Sequence, residues 1–473
     1  MAYSEFKWPD GFLSGSSRTS LPSKQDSDAL LDLRDRLPYP LNLHLNSVFQ
    51  FFFVPLKHLI DLNGPTIKKN AIPTIWFSGY REMQALFPVD FKYWCFSGKK
   101  GIYTVLRALA LIRLYCKFFS YVKLLRLKRE ETRVCDVTNI LLIRRPTHLS
   151  AYSNPFYNEV VENSTKVLFF DPSRKLREDE VFAPLSLRII MKALYDCSSA
   201  ICKALATNCR AEISNIQLDL RRANVEACFH FETFLYAEQL RRLSTFNDQN
   251  TITSFEQVSS YAEIEKIIFP KDNLRHIQFG IIPYYPYPTI GLGSTFCIRS
   301  NRVLHEYCEN FPERRFEKIN LSKSFFAAVQ YDVQSDLSLI FATQPYRKKQ
   351  EREILTKLNN AGISNDIRVK YHPREQELYS GFSAVKDVFS MKNSVVITRT
   401  SSLTVELFAR GIPYACFIDQ KDLDLDQGEV SRIDSPVAFS NLDELILSLK
   451  NIEAYVQQFT EWRNKKLDDY LNV

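Results

Sequence analysis

The sequence predicts an α/β protein with two parallel-sheet domains, preceded by a mostly helical extension. The chain of 473 residues is longer than a single hydrophobic core usually grows. From about residue 137 onward, short β-rich runs alternate with helical patterns, which is typical of parallel α/β domains. The hydrophobic content of 45% and the charged content of 24% are ordinary for globular proteins, so both domains are expected to bury substantial cores.

The extension, residues 1–136, is aromatic-rich and irregular in pattern. Its N-terminus has no charged-then-apolar order, so no secretory signal is expected there. The apolar stretches at 48–56 and 102–127 are interrupted by proline or basic residues, whereas a spanning helix needs about 20 apolar residues. Aromatic and leucine residues alternate with basic ones at 102–129. A helix that lies on a membrane surface there is therefore an alternative to a helix packed on the protein.

Charge and cysteine usage exclude several classes of function. The net charge of +7 is modest for this length and no Lys/Arg block resembles a nucleic-acid-binding tail, so no nucleic acid partner is expected. The ten cysteines show no C-x-x-C spacing, which argues against a zinc site and a disulfide framework. They are expected to be reduced thiols, and the predicted location is cytoplasmic.

The first α/β domain is predicted at 137–330 and has a Rossmann-like pattern. Its apolar runs are continuous, as expected of strands covered on both faces. The predicted elements are strands at 139–143 and 166–170, a helix at about 185–205, a strand at 227–231, a helix from Glu232 and a strand at 276–282.

The second α/β domain is predicted at 331–473. Its alternation of strands and helices is that of one half of a doubly wound sheet. The predicted elements are strands at 337–342, 366–371, 394–398 and 414–418, helices at 346–361, around 383–391 and at 402–410, and a helical tail at 442–471.

Polar residues follow three strands of the second domain. In an open parallel sheet, ligands bind beyond the carboxyl ends of the strands. Serines at a strand-to-helix turn offer hydroxyl and N–H donors and the positive helix end to a phosphate, although one serine could simply cap its helix. A histidine before a proline is expected at the rim of the sheet, where it can donate to a phosphate, unless its role is structural. The three groups are Thr343-Gln344, His372-Pro373-Arg374 and Arg399-Thr400-Ser401-Ser402, with further positive charge from Arg368 and Lys370.

Two of these groups resemble a known family. The segments VKYHPRE (369–375) and TSSLTVEL (400–407) are similar to the HP and serine motifs of bacterial sialyltransferases of the lipooligosaccharide type, and TNILLIRRPTHL (138–149) more loosely resembles the opening strand and loop of that family. The resemblance implies the GT-B fold, in which two Rossmann-like domains face each other across a cleft. It implies that His372 contacts the donor phosphate and that Ser401 and Ser402 bind it. Thr343, Gln344, Pro373, Arg374, Arg399, Thr400 and Glu406 would complete the donor site.

The sequence departs from that family in the first domain. The family carries an acidic motif, D/E-D/E-G, which supplies the base that deprotonates the acceptor hydroxyl, and no such triplet occurs between 137 and 330. Glu232 and Asp171 are the best substitutes because each follows a predicted strand. Either could instead be an ordinary carboxylate at a helix start or a turn.

The expected function is an inverting, metal-independent transfer of an acidic, sialic acid-like sugar from a CMP-sugar donor to a cell-surface glycan or glycolipid. Neither metal nor cofactor is expected, because a histidine, serines and a helix end could neutralise the single phosphate of the donor. The D-x-D spacing at 422–426 is interpreted as a solvated acidic loop. Peripheral contact with the inner face of the plasma membrane is an open expectation. A UDP-sugar epimerase, a CDP-glycerol-type polyol-phosphate transferase and an inactive GT-B binding module are the alternatives.

Overall fold

A computed structural model confirms the α/β class, and the residues that it describes form two sheets of parallel strands, one of seven strands and one of six. A separate antiparallel hairpin is also present. The structure describes residues 100–125, 139–144, 148–149, 152, 157, 166–170, 180–204, 210–213, 216–219, 231–244, 251–256, 260–269, 271–279, 293–319, 338–343, 348–364, 366–372, 379–391, 393–399, 401, 403–417 and 435–471.

The first half of the described chain forms the seven-stranded sheet, in the order β3-β2-β1-β6-β7-β8-β9. Its strands are β1 Asn139–Ile143, β2 Lys166–Phe169, β3 Glu180–Phe182, β6 Thr251–Ser254, β7 Leu274–Ile277, β8 Thr295–Ile298 and β9 Phe316–Lys318, and the hairpin strands are β4 Arg210–Ile213 and β5 Ile216–Asp219. Its helices are α1 Lys100–Leu124, α2 Leu187–Ala204, α3 Phe231–Ser244, α4 Ser260–Ile268 and α5 Asn301–Asn310, with a short 3-10 turn at Lys271–Asn273.

Strands β1 and β2 consist of uninterrupted apolar residues after their first position, because their side chains are buried on both faces of the sheet. All four apolar residues of β1, from Ile140 to Ile143, are buried, and so are three of the four residues of β2. Alternate β1 residues join two different cores, because Leu141 packs in one cluster and Leu142 in another. The sheet is therefore covered on both faces, as the sequence predicted.

A layer of helices packs beside this sheet. Helices α1, α2 and α3 contact one another, and their shared core contains Leu114, Ile190 and Phe231. The helix predicted at 185–205 is confirmed. The stretch at 102–124 is also helical, and it packs through one face against α2 and α3.

The second half forms the six-stranded sheet, in the order β12-β11-β10-β13-β14-β15. Its strands are β10 Ser338–Ala342, β11 Ile367–Lys370, β12 Ser383–Ala384, β13 Ser394–Thr398, β14 Tyr414–Phe417 and β15 Ala438–Phe439. Its helices are α6 Lys348–Asn360, α7 Leu403–Arg410, α8 Leu442–Lys450 and α9 Ile452–Leu471, with a 3-10 turn at Val388–Ser390.

Two predicted elements differ in the structure. The helix expected around 383–391 is wrong, because β12 pairs there with β11 and is followed only by the 3-10 turn. Gly381 adopts a φ of 88°, which turns the chain into β12, and the Asp387 carboxylate caps the 3-10 turn by accepting from the Phe389 N–H. Phe231, expected at the end of a strand, instead begins α3, and residues 227–230 lie outside the described residues.

Helix α9 connects the two halves. Its Phe459 ring packs edge-on against Tyr414, with 5.5 Å between the centroids, and Arg463 Nε donates to the Phe408 carbonyl oxygen at 2.6 Å. The same helix contacts α5 of the first half. None of the helices in the described ranges is long and apolar enough to cross a membrane.

Candidate functional site

Among the described strands, each parallel sheet has one point at which the order of its strands reverses. In the first sheet the chain moves outward from β1 through β2 to β3, and then resumes on the other side of β1 with β6. The second sheet repeats this plan, with β10, β11 and β12 on one side and β13 on the other. Crevices that bind ligands form beyond the carboxyl ends of strands at such points. The β10/β13 and β1/β6 junctions are therefore the two places where a site is expected.

At the β10/β13 junction, Thr343 holds the chain that follows β11. Thr343 is the residue after β10 and is buried. Its N–H donates to the Lys370 carbonyl oxygen at 3.0 Å, and its Oγ1 accepts from the His372 N–H at 2.9 Å. The second bond places the half-buried His372 at the carboxyl edge of the sheet, immediately beside β10.

On the other side of the junction, Ser401 caps α7. Its Oγ accepts from the Leu403 N–H at 3.3 Å, and its carbonyl oxygen accepts from the Thr404 N–H and hydroxyl. A hydroxyl can accept and donate at once, so the capping bond leaves the hydrogen of Ser401 able to donate to an anion. The positive end of the α7 dipole lies at the same place.

Arg399 adds positive charge directly after β13. Its side chain is fully buried. A guanidinium keeps its charge under nearly all conditions, so Arg399 contributes a fixed positive charge near the carboxyl end of β13. Glu406 lies within α7 and is half-buried.

The structure thus brings Thr343, His372, Arg399 and Ser401 to the carboxyl ends of three neighbouring strands, β11, β10 and β13. Their assignment to a donor remains a prediction. Five further predicted donor residues and one candidate base lie outside the described residues: Gln344, Pro373, Arg374, Thr400, Ser402 and Asp171.

Arg368 and Lys370, which were expected to add positive charge to the site, both have local hydrogen-bond partners. Arg368 donates to the Asp366 carboxylate, which also accepts from Ser338 at the start of β10, the opposite end of the strand from Thr343. The hydrogen bond from Arg368 holds the pKa of Asp366 below its usual value. The Lys370 ammonium donates to the Lys386 carbonyl oxygen. Both cations are therefore occupied by local partners.

Glu232, the first candidate for a base, lies in the first turn of α3. Its carboxylate forms an ion pair with Lys117 of α1, with 2.5 Å between Oε1 and Nζ. This pair joins two helices of the outer layer. Its proposed role in catalysis stays a prediction.

The β1/β6 junction of the first sheet contains a buried ion pair that the sequence did not indicate. Arg144, the residue after β1, donates through Nε to Glu256 Oε1 at 2.7 Å, and its guanidinium carbon stands 3.3 Å from the centroid of the Tyr261 ring. Glu256 follows β6 and is fully buried. Burial alone would lower the pKa of Arg144, but attraction to Glu256 and Tyr261 outweighs it and raises this pKa.

His148 completes this cluster. Its Nε2 lies 3.7 Å from Glu256 Oε1, and its ring lies between those of Phe255 and Phe279, with centroid distances of 6.1 and 5.9 Å. A carboxylate beside an imidazole can fix the orientation of the ring. Arg144, His148 and Glu256 therefore form a candidate proton-handling group at the first reversal point.

The residues after the next strands along the same edge form a second hydrogen-bonded group, which contains Arg299, Tyr157 and Gln278. The Arg299 guanidinium donates to the Tyr157 hydroxyl at 3.2 Å, and this hydroxyl donates to the Gln278 carbonyl oxygen at 3.2 Å. The Gln278 side chain in turn accepts from the Arg299 N–H at 3.0 Å. These hydrogen bonds link the residue after β7 to the residue after β8 and stabilise this edge of the sheet.

No protein-family model matches the sequence, and no curated protein matches it. Within the described ranges, no group of three or more His, Cys, Asp or Glu side chains could hold a metal ion. The acidic loop at 422–426 lies outside those ranges.

Proposed function

We propose that this protein is an inverting glycosyltransferase of the GT-B type that moves an acidic sugar from a CMP-sugar to a glycan hydroxyl. The observation that carries the proposal is the β10/β13 junction, where Thr343, His372 and Ser401 converge on one edge. The resemblance of 369–375 and 400–407 to sialyltransferase motifs supports the choice of donor. In this proposal the cleft between the two Rossmann-like domains encloses the reaction.

The second sheet would bind the donor through its phosphate. The Ser401 hydroxyl and the N-terminal end of α7 would donate to the phosphate oxygens. His372, positioned by Thr343, would donate to the same group as the bond between the anomeric carbon and the phosphate oxygen breaks. The leaving CMP would take both electrons of that bond, and the positive charge of Arg399 would stabilise it.

The first sheet would supply the base. The acceptor oxygen attacks the anomeric carbon from the face opposite the phosphate, and its proton passes to a group of the first domain. His148, beside Glu256 at the β1/β6 junction, is one candidate for this role, and Glu232 is the competing candidate. The proton would pass to that base while the new glycosidic bond forms in one displacement, which inverts the configuration.

Nucleotide binding tests the proposal directly. Thermal unfolding of the full chain is measured with CMP, CDP, UDP, GDP and TDP, because a ligand that binds the folded state raises the unfolding temperature. CMP is expected to stabilise the protein, and His372→Ala is expected to abolish this effect. His305→Ala is the matched control, because His305 is 76% exposed on α5, far along the chain from the site.

Other outcomes discriminate the alternatives. Stabilisation by UDP together with conversion of a UDP-sugar in the absence of acceptor would replace the transferase with an epimerase. Stabilisation by CDP with transfer from CDP-glycerol would indicate a polyol-phosphate transferase. An absence of stabilisation by all five nucleotides would reject the transferase and leave a binding module.

A further inference from the structure

Exposed apolar side chains concentrate on two neighbouring helices, α1 and α2. In the described part of the chain, eight large hydrophobic side chains are strongly exposed, and six of them belong to these helices. On α1 they are Ile112, Tyr115 and Phe119, and on α2 they are Leu187, Met191 and Tyr195. Scattered exposed apolar residues are ordinary, but a concentration of them on two helices that contact each other indicates an interaction surface.

The spacing places these six side chains in one stripe on each helix. Residues three, four, seven or eight positions apart share a helix face, and both sets follow that spacing. The neighbouring faces are occupied by packing, since Leu114 of α1 and Ile190 and Cys197 of α2 are buried in the core between the helices. The two stripes therefore point outward beside that packed seam. We name them together the α1–α2 face.

The charge of the two helices is strongly one-sided. Helix α1 contains five Lys or Arg and no Asp or Glu, and α2 contains three basic residues and one acidic residue, so their formal charges are +5 and +2. The acidic residue, Asp196, is paired with Lys192 at 2.5 Å. With about 100° of rotation per residue, Lys123, Arg188 and Lys203 border the stripes on the side away from the buried seam. All three side chains are exposed.

We propose that the α1–α2 face lies on an anionic lipid surface. Apolar side chains would enter the boundary between headgroups and acyl chains, while the bordering lysines and arginines would reach the headgroup phosphates. Pairing with a second copy of the chain fits less well, because a two-fold interface would bring two positively charged faces together. The proposal is independent of the proposed transferase activity.

Vesicle flotation of the full chain tests this proposal. Phosphatidylcholine vesicles with and without phosphatidylglycerol are the probes. The wild-type protein is expected to float with the anionic vesicles, to remain unbound with the neutral ones, and to dissociate as salt is raised. Failure to bind the anionic vesicles, or equal binding to both kinds, would overturn the proposal.

Paired variants assign the binding to the face. Phe119→Ser with Tyr195→Ser is expected to reduce partitioning onto anionic vesicles by about tenfold or more, through lost apolar burial. Arg188→Glu with Lys123→Glu is expected to reduce it similarly. The matched control is Ile267→Ser with Leu447→Ser, which removes two side chains that are 64% and 70% exposed on other helices and should leave binding unchanged.

Folding and self-association are checked on the same samples. All six altered side chains are exposed, so thermal unfolding of the three double variants is expected to match that of the wild type. Unchanged vesicle binding by the Phe119/Tyr195 variant would reject the α1–α2 face as the docking surface. A concentration-dependent dimer that this variant abolishes would likewise overturn the proposal in favour of an interface between copies.

Discussion

The hydroxyl of Thr343 and the backbone N–H of His372 are joined by a 2.9 Å hydrogen bond across the carboxyl ends of β10 and β11. A second bond, from the Thr343 N–H to the Lys370 carbonyl oxygen, extends the strand pairing by one step. Together they set the point at which the chain leaves the sheet before Pro373. The backbone position of His372 therefore depends on a side chain that follows a different strand.

Thr343→Val should separate positioning from stability. Valine keeps the shape but leaves the His372 N–H without its acceptor, which costs about 1 to 3 kcal/mol where the group is buried and less where water reaches it. CMP affinity is expected to fall severalfold, which is more than the change in the free energy of unfolding alone would cause. Titration of the unfolding temperature with CMP measures this. Thr460→Val, which removes a hydroxyl bonded within α9, should leave CMP affinity unchanged; an equal loss there would refute the positioning role.

Ser401 combines a cap with a candidate phosphate donor, and two substitutions distinguish these roles. Ser401→Ala should destabilise the protein by about 1 kcal/mol, because α7 loses its capping acceptor. Ser401→Asp should retain stability, since aspartate caps helices equally well. It should nevertheless abolish CMP binding, because its negative charge would stand where the phosphate is expected. Retained CMP binding in Ser401→Asp would exclude this position from the donor site.

Much of the second sheet could be predicted from the chain, because its central strands are apolar runs with polar residues immediately after them. Ser394–Thr398 is buried along its whole length, and Thr343, His372 and Ser401 occupy the positions after strands where ligand groups are expected. Their place at a point of strand reversal could not be predicted, since strand order depends on packing between distant segments.

The first sheet was harder to predict. Strand β6, with the sequence TITS, is short and polar, and its identity as a strand comes from pairing between β1 and β7. Because the sequence of β6 does not predict a strand, the sequence does not identify Glu256 as a residue that follows a strand end. Its partner Arg144 did follow a predicted strand. The signal that could have found the pair is a charge directly after NILLI, which needs an opposite charge if it is buried.

The Arg144–Glu256 pair should be strongly coupled. Glu256→Gln leaves a mostly buried guanidinium without its counter-charge, which typically costs about 3 to 5 kcal/mol. Arg144→Met with Glu256→Gln should cost less than the sum of the two single changes, because the second change removes the charge that the first left unpaired. Urea unfolding of the four proteins measures the coupling, and simple additivity would contradict it.

A second buried network joins β7 of the first sheet to helices α3 and α4. It should make the free energy of unfolding depend on pH in the alkaline range. His276 lies between Ser294 and Glu265, with ring nitrogens 2.8 Å from each, and the Tyr236 hydroxyl donates to Glu265. Burial, then the charge of Glu265, raises the pKa of Tyr236 well above its ordinary value of 10.0. The folded state therefore holds this proton more tightly. The resulting stabilisation is complete below pH 10 and is lost as the pH rises further.

Tyr236→Phe tests this linkage. It should lower stability at neutral pH by about 1.5 to 3 kcal/mol, the usual value of a hydrogen bond to a charged group. It should also reduce the decrease in the free energy of unfolding above pH 10. Part of that decrease will persist, because burial raises the pKa of Tyr455 as well. Tyr195→Phe, at a side chain 69% exposed, is the control. Urea unfolding at a series of alkaline pH values measures this. Parallel curves of unfolding free energy against pH for the wild type and Tyr236→Phe would contradict the linkage.

Thiol reactivity provides an independent test of the first sheet. Cys297 is buried within β8, and burial raises the pKa of its thiol to about 11 despite the opposing influence of Arg275. Cys308, eleven positions later on α5, is exposed. Because the thiolate is the reactive form, iodoacetamide at pH 8 should modify Cys308 readily and leave Cys297 unmodified until the protein unfolds. Peptide mapping by mass spectrometry with and without urea measures both sites in one sample. Modification of Cys297 in the folded protein at the rate of Cys308 would contradict the placement of β8 inside the sheet.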